Sequence, residues 1–205
     1  IVLSADTANE GDEAFAVVEA VRSAAAKYYD VSYTCGESAN LYDVREVVTE
    51  DTGLVNGIAV LFILLTLLVT FRSLTLPFIL LFAIESAIWI NLSTAYFTGN
   101  TLVYIGYLVI NTVQLGATID YAILITDGYL VNRRTMLKRE AVVNTLQKNF
   151  LSVLTSGLIL STAGLGLNFT SSMQVVSELG LLLSRGTLLS MAMVLLALPA
   201  LLLIF

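Results

Sequence analysis

The sequence predicts a membrane all-α bundle of five transmembrane helices, preceded by part of a β-α-β-α subdomain that lies outside the membrane. Three observations carry this. The chain of 205 residues is 57% hydrophobic and its mean hydropathy is +0.86, whereas an ordinary soluble domain is roughly 45–50% apolar. Its apolar residues fall in five runs, each long enough to cross a hydrocarbon core of about 30 Å at about 1.5 Å per residue. Its acids gather at one end: residues 1–51 hold 11 of the 16 Asp and Glu but only 3 of the 10 Lys and Arg.

The first fifty-odd residues read as the soluble piece. IVLSADTA at 1–8 alternates imperfectly, as a strand does, and EGDEAFAVVEAVRSAAAKYYD has acids in its first turn and helix formers throughout. VSYTCG at 31–36 is β-branched and aromatic enough for a second strand, and 38–51 reads as a helix leading to the membrane. So few residues are near the lower limit for a self-supporting core, and a two-stranded sheet needs further strands or a cover. Residues 1–51 are therefore expected to be the C-terminal part of a larger subdomain. A start at Ile1 without a signal-like segment, and an end at Phe205 inside an apolar run, fit a piece of a longer chain.

Residues 52–205 read as the membrane domain, with spans at about 54–71, 77–97, 102–129, 150–169 and 178–205. The first is apolar and uncharged from Leu54 to Phe71. Pro77 opens the second, a position where a helix tolerates proline, and Glu85 lies inside it. The third is the most polar, with Asn111, Gln114, Asp120 and Asp127. The stretch 135–149 suits an amphipathic helix on the membrane surface, before the fourth span. The last run, from about Val175, exceeds one crossing and contains Glu178, Arg185 and Gly186, which suggests a tilted or surface-lying start.

Five of the seven bases beyond residue 51 lie in the loop 130–149 (Arg133, Arg134, Lys138, Arg139 and Lys148), and Arg72 lies in the first link. By the positive-inside rule both loops are cytoplasmic, which puts the N-terminal subdomain on the far side of a plasma membrane. The same bases are a topology signal first and a contact for anionic lipid headgroups second. Nucleic acid is not an expected partner, because the basic cluster sits between spans. With Cys35 as its one cysteine and no histidine, the chain offers no disulfide framework, no His-based metal site and no His general base. No cofactor is expected, and the chain is not read as an enzyme.

Ionisable residues inside spans are costly and mark function by default. Asp120 in GATIDYAILITDGY is the sharpest, with Tyr121 beside it as a hydrogen-bond donor and Gly116 and Ala117 a turn earlier, where small residues let another helix approach. Low-dielectric surroundings disfavour the charged form of a carboxyl, so an acid at this depth can exchange a proton between two faces of a membrane. Asp127 lies seven residues on, near the same face but towards the helix end, and reads first as a solvated acid. Asn111 and Gln114 read first as polar ties between helices. Glu85 and Arg185 are expected to offset one another as a buried pair.

These features, taken in order, resemble the C-terminal half of an MMPL-type exporter of the resistance-nodulation-division superfamily. The resemblance rests on ESANLYDVREVV, TFRSLTLPFILLFAIESAIWINL, GATIDY before a basic loop, and LSRGTLLSMAMVLLALPALL. It implies that the soluble piece is the tail of an external porter domain and that Asp120 and Tyr121 form a proton-relay pair, with protons as coupling ion. It implies export of lipidic or hydrophobic molecules, with membrane lipids, the substrate and the N-terminal half of the same transporter as partners and oligomer formation left open. A lipid- or sterol-sensing module of the same superfamily and a proton-driven protein-translocation subunit are the alternatives. An intramembrane aspartyl protease would need a second catalytic acid on another helix, and Asp127 shares a helix with Asp120.

Overall fold

In the computed structural model, residues 2–9, 11–98 and 104–204 are described, and all their regular structure is helical. The chain divides into two units, Ile1–Gly53 and Leu54–Phe205.

In the first unit, α1 (Asp12–Ala26) starts with Asp12 and Glu13, whose charges suit the positive end of a helix. It buries Ala14, Phe15 and Val18, one face at helical spacing, while Ala39 is buried on the first part of α2 (Glu37–Phe71). The Phe15 and Tyr42 rings meet edge to face at 5.9 Å. Arg22 ties the pair together: its guanidinium donates to both carboxylate oxygens of Asp43 at 2.6 and 2.9 Å, donates to Thr34 Oγ1 at 2.7 Å, and lies 5.3 Å from the Tyr42 ring centre.

The strands expected at 1–8 and 31–36 do not form among the described residues, so the β-α-β-α reading of this unit is corrected to a helical hairpin with irregular flanks. A strand exists only through a ladder to a partner. These two segments make none, and Val2, Leu3, Val31 and Tyr33 are left exposed.

In the second unit, α2 turns Asn56, Ala59, Val60, Ile63, Leu64, Leu67 and Phe71 inward at helical spacing, and Leu61, Phe62, Leu65 and Val69 outward. Arg72, at φ 48°, reverses the chain. α3 (Thr75–Thr98), with Pro77 in its first turn, is followed by α4 (Tyr104–Arg133) and α5 (Lys138–Thr170). α6 (Gln174–Ala192) passes through a π-helical turn at Met193–Ala197 into α7 (Leu198–Ile204). The widened turn has a local cause: Pro199 has no N–H to give the carbonyl one turn earlier, and a π turn absorbs the misfit.

Five helices are long and apolar enough to cross a membrane: Glu37–Phe71, Thr75–Thr94, Val109–Arg133, Lys138–Thr170 and Val175–Ile204. Two boundaries differ from expectation. The amphipathic helix at 135–149 and the span at 150–169 are one helix, because α5 runs unbroken from Lys138; no Gly or Pro stands at Asn149–Phe150 to interrupt it. The helix at 38–51 likewise belongs to the same element as the first span, since Gly53 costs a helix only about 1 kcal/mol against Ala. The expected start of the third span at 102 and the end of the fifth at 205 lie outside the described residues.

α6 is the hub, touching α3, α4 and α5. Its seam with α5 is made of small residues: a Cβ on Gly164 would stand 2.6 Å from the Gly180 carbonyl oxygen, and one on Gly180 would stand 2.5 Å from that of Gly164. Ser161 and Ser184 hydrogen bond beside them at 2.8 Å. Dispersion across such close backbones, with small polar ties, holds helices together where the solvent is itself apolar. The apolar core, including Leu67, Leu80, Ile84, Leu115, Ile125, Tyr129 and Leu198, fills the space between α2, α3, α4 and α7.

Candidate functional site

α4 has two polar faces with different surroundings. One points into the bundle. Gln114, buried, receives a hydrogen bond on Oε1 from Asn91 of α3 at 2.8 Å and donates through Nε2 to Ser190 Oγ at 3.0 Å and the Gly186 carbonyl at 3.2 Å, both on α6. Asn91, fully buried, also donates to the Leu182 carbonyl at 3.1 Å. Arg185 completes the knot by donating through Nε to Asn91 Oδ1 at 2.8 Å and through Nη2 to the Asn91 carbonyl at 3.0 Å. Gly186 makes room for it: an added Cβ would sit 2.3 Å from Gln114 Oε1 and 2.5 Å from Asn91 Nδ2. A satisfied polar network of this kind locks three helices in register. A turn away, Asn111 donates to Asn56 of α2.

The expected Glu85–Arg185 pair does not form. Arg185 is turned to Asn91, and Glu85 makes no ion pair with a described residue. Helical spacing is the reason: residues 85 and 91 of α3 lie about 120° apart around the helix axis, so a side chain that reaches Asn91 does not reach Glu85. Asn91 was the residue that sequence reasoning passed over. Its signal was there, an uncharged amide inside the apolar run AIWINL, but attention to charge alone overlooks it.

The other polar face of α4 points out of the bundle. Asp120 and Asp127 are both exposed on it, seven residues apart, with exposed Val113, Gly116 and Leu124 along the same stripe. A Cβ on Gly116 would meet nothing within 4 Å. No hydrogen bond or ion pair to a described residue holds either carboxyl. Tyr121 is half-buried and packs against the apolar core, about a quarter turn round from Asp120. The sequence-predicted polar residues thus separate into two sets: Gln114, Asn111 and Arg185 are bound inside the bundle, and Asp120 and Asp127 stand on its open flank.

An acid in mid-span on an outward face is the arrangement hydrocarbon tolerates least. With Gly116 clearing a path to the backbone, this flank has the chemistry of a helix–helix contact surface with a carboxyl at its centre. Among the described residues no group of three or more His, Cys, Asp and Glu comes close enough to hold a metal ion.

No curated protein matches the chain. The model of the MMPL family matches residues 1–205, its whole length. With five helices of membrane-spanning length and composition, the chain is a multi-pass membrane protein that belongs to the MMPL family, a family of membrane transporters.

Proposed function

We propose that the chain is the energy-coupling part of a proton-driven exporter of lipidic or hydrophobic molecules, and that Asp120 is the group that takes up and releases the proton. The observation that carries this is the outward, unpaired carboxyl of Asp120 in mid-span beside the cleared backbone at Gly116. In the full transporter this flank of α4 packs against the N-terminal half. There the carboxylate is desolvated, and binding a proton removes its charge, which changes the free energy of the contact by several kcal/mol. The two protonation states favour two packings of α4 against its neighbour, which is what alternating access requires. Tyr121, its ring fixed by the core, directs its hydroxyl as donor or acceptor along the same path.

The knot of Asn91, Gln114, Arg185 and Ser190 gives the motion something to move. Because it fastens α4 to α3 and α6, a shift of α4 carries those helices with it. The bases between residues 130 and 149, which run from the end of α4 into α5, lie on the cytoplasmic side of a plasma membrane, and residues 1–51 form the tail of an extracytoplasmic porter domain. Protons serve as the coupling ion in place of any cofactor.

The test is Asp120→Asn in the full-length transporter. Transport is lost while expression and lipid binding persist. Transport at the unmodified level would remove Asp120 from the mechanism and favour a lipid-sensing module.

A further inference from the structure

α3 carries an acid that the proton relay leaves unused. Glu85 lies about 15 Å along the helix from Thr75, near half the depth of a hydrocarbon core. It lines an open cleft of about 770 Å³ between the first half of α3 and the end of α7, together with Leu74, Phe78, Ile79, Phe82 and Leu201. Phe78 and Phe82 are exposed along it, and exposed Trp89 stands one turn beyond Glu85. Apart from Thr75, Glu85 is the one polar side chain in the lining. No ion pair with a described Lys or Arg holds it, and Arg185, the one base at comparable depth, is bound to Asn91.

A cleft of this size accommodates a small-molecule guest, and such sites are apolar with a few polar groups that fix orientation. Here that group is an acid with no basic partner among the described residues, its carboxyl within reach of the Trp89 indole N–H. A carboxylate in apolar surroundings is expensive unless a cation meets it, and the aromatic faces of Phe78, Phe82 and Trp89 add attraction for a cation. The guest complementary to both features is an apolar body bearing one positive charge.

We propose that this cleft binds hydrophobic cations, molecules with an apolar body and a single protonated amine, whose ammonium pairs with the Glu85 carboxylate. The site is on a different helix from Asp120 and does not rest on the relay. A neutral or anionic lipid of the same chain length gains the apolar contacts but not the pairing.

Trp89 is the only tryptophan of the chain, so it reports on the cleft without labelling. The experiment places the chain in phosphatidylcholine bilayers and titrates in bromine-labelled dodecylamine, its neutral N-acetyl derivative, dodecanol and dodecanoic acid, following Trp89 quenching. The amine is expected to quench at a mole fraction about five-fold lower than the neutral compounds, the factor a modest ion pair supplies. In Glu85→Gln, with helical content checked by circular dichroism, the amine and the alcohol are expected to coincide. Equal quenching by amine, acetamide and alcohol in the unmodified chain overturns the proposal and leaves an unselective lipid groove. So does a preference for the amine that Glu85→Gln retains, and so does an absence of quenching by all four compounds, which would mean that the cleft is closed to lipid-borne guests.

Discussion

Gly186 has no space for even a methyl group, because Gln114 and Asn91 already fill the position a Cβ would take. Gly186→Ala is expected to destabilise the bundle by about 1–3 kcal/mol, the cost of overpacking, read as a lower thermal midpoint in detergent. Asn91→Leu should do similar damage by another route, taking from Arg185 its side-chain acceptor and leaving it only the carbonyl of residue 91; hydrogen bonds to charged groups are each worth about 1.5–3 kcal/mol. Arg185→Met in that background should recover part of the loss, since it removes a charge left with one acceptor, and a double-mutant cycle of thermal midpoints measures the coupling. At this scale the sequence was legible where charge interrupts hydrocarbon: Asp120, Glu85 and Arg185 stood out at once. Which of them pair was not legible, because pairing depends on rotation about the helix axis. The partner of Arg185 proved to be an uncharged amide.

Single residues set how closely whole helices approach. At the α5–α6 seam the nearest atoms facing Gly164 and Gly180 are each other's carbonyl oxygens, backbone atoms that cannot step aside, so Gly164→Leu should separate the helices. Its cost should lie at or above the upper end of the roughly 1–3 kcal/mol range for overpacking, with a cysteine cross-link between Ser161 and Ser184 positions then forming more slowly. In the first unit the Arg22 guanidinium, hydrogen bonded to Asp43, holds that carboxyl below the usual carboxylate range. A group with a lowered folded pKa stabilises above the unfolded pKa and loses that contribution as pH falls through the folded value. Hydrogen-exchange protection of α1 should therefore fall on acidification from about pH 7 to below about pH 3 by up to about 1 kcal/mol, the scale of an exposed pair. Arg22→Gln should begin lower and lose less. Helix existence was readable from hydropathy and propensity along these elements, but helix ends were not: α5 continues through 149–150 because nothing there stops it. The strands at 1–8 and 31–36 failed for a different reason, since alternation shows fitness for a sheet and cannot supply the partner.

Across the whole molecule, five crossings follow from the lengths of the apolar runs, and the family match extends over the full chain. What hydropathy could not reveal is that the polar residues of α4 divide into an inward set that fastens the bundle and an outward set that does not. Asp120 belongs to the outward set, and its free carboxyl is the reason to place energy coupling on that flank. The most direct test measures substrate-dependent proton flux in proteoliposomes of the full-length transporter after a pH jump, comparing the unmodified protein with Asp120→Asn and Asp127→Asn. Flux should vanish with Asp120→Asn and persist with Asp127→Asn, and undiminished flux through Asp120→Asn would contradict the assignment of the proton to Asp120.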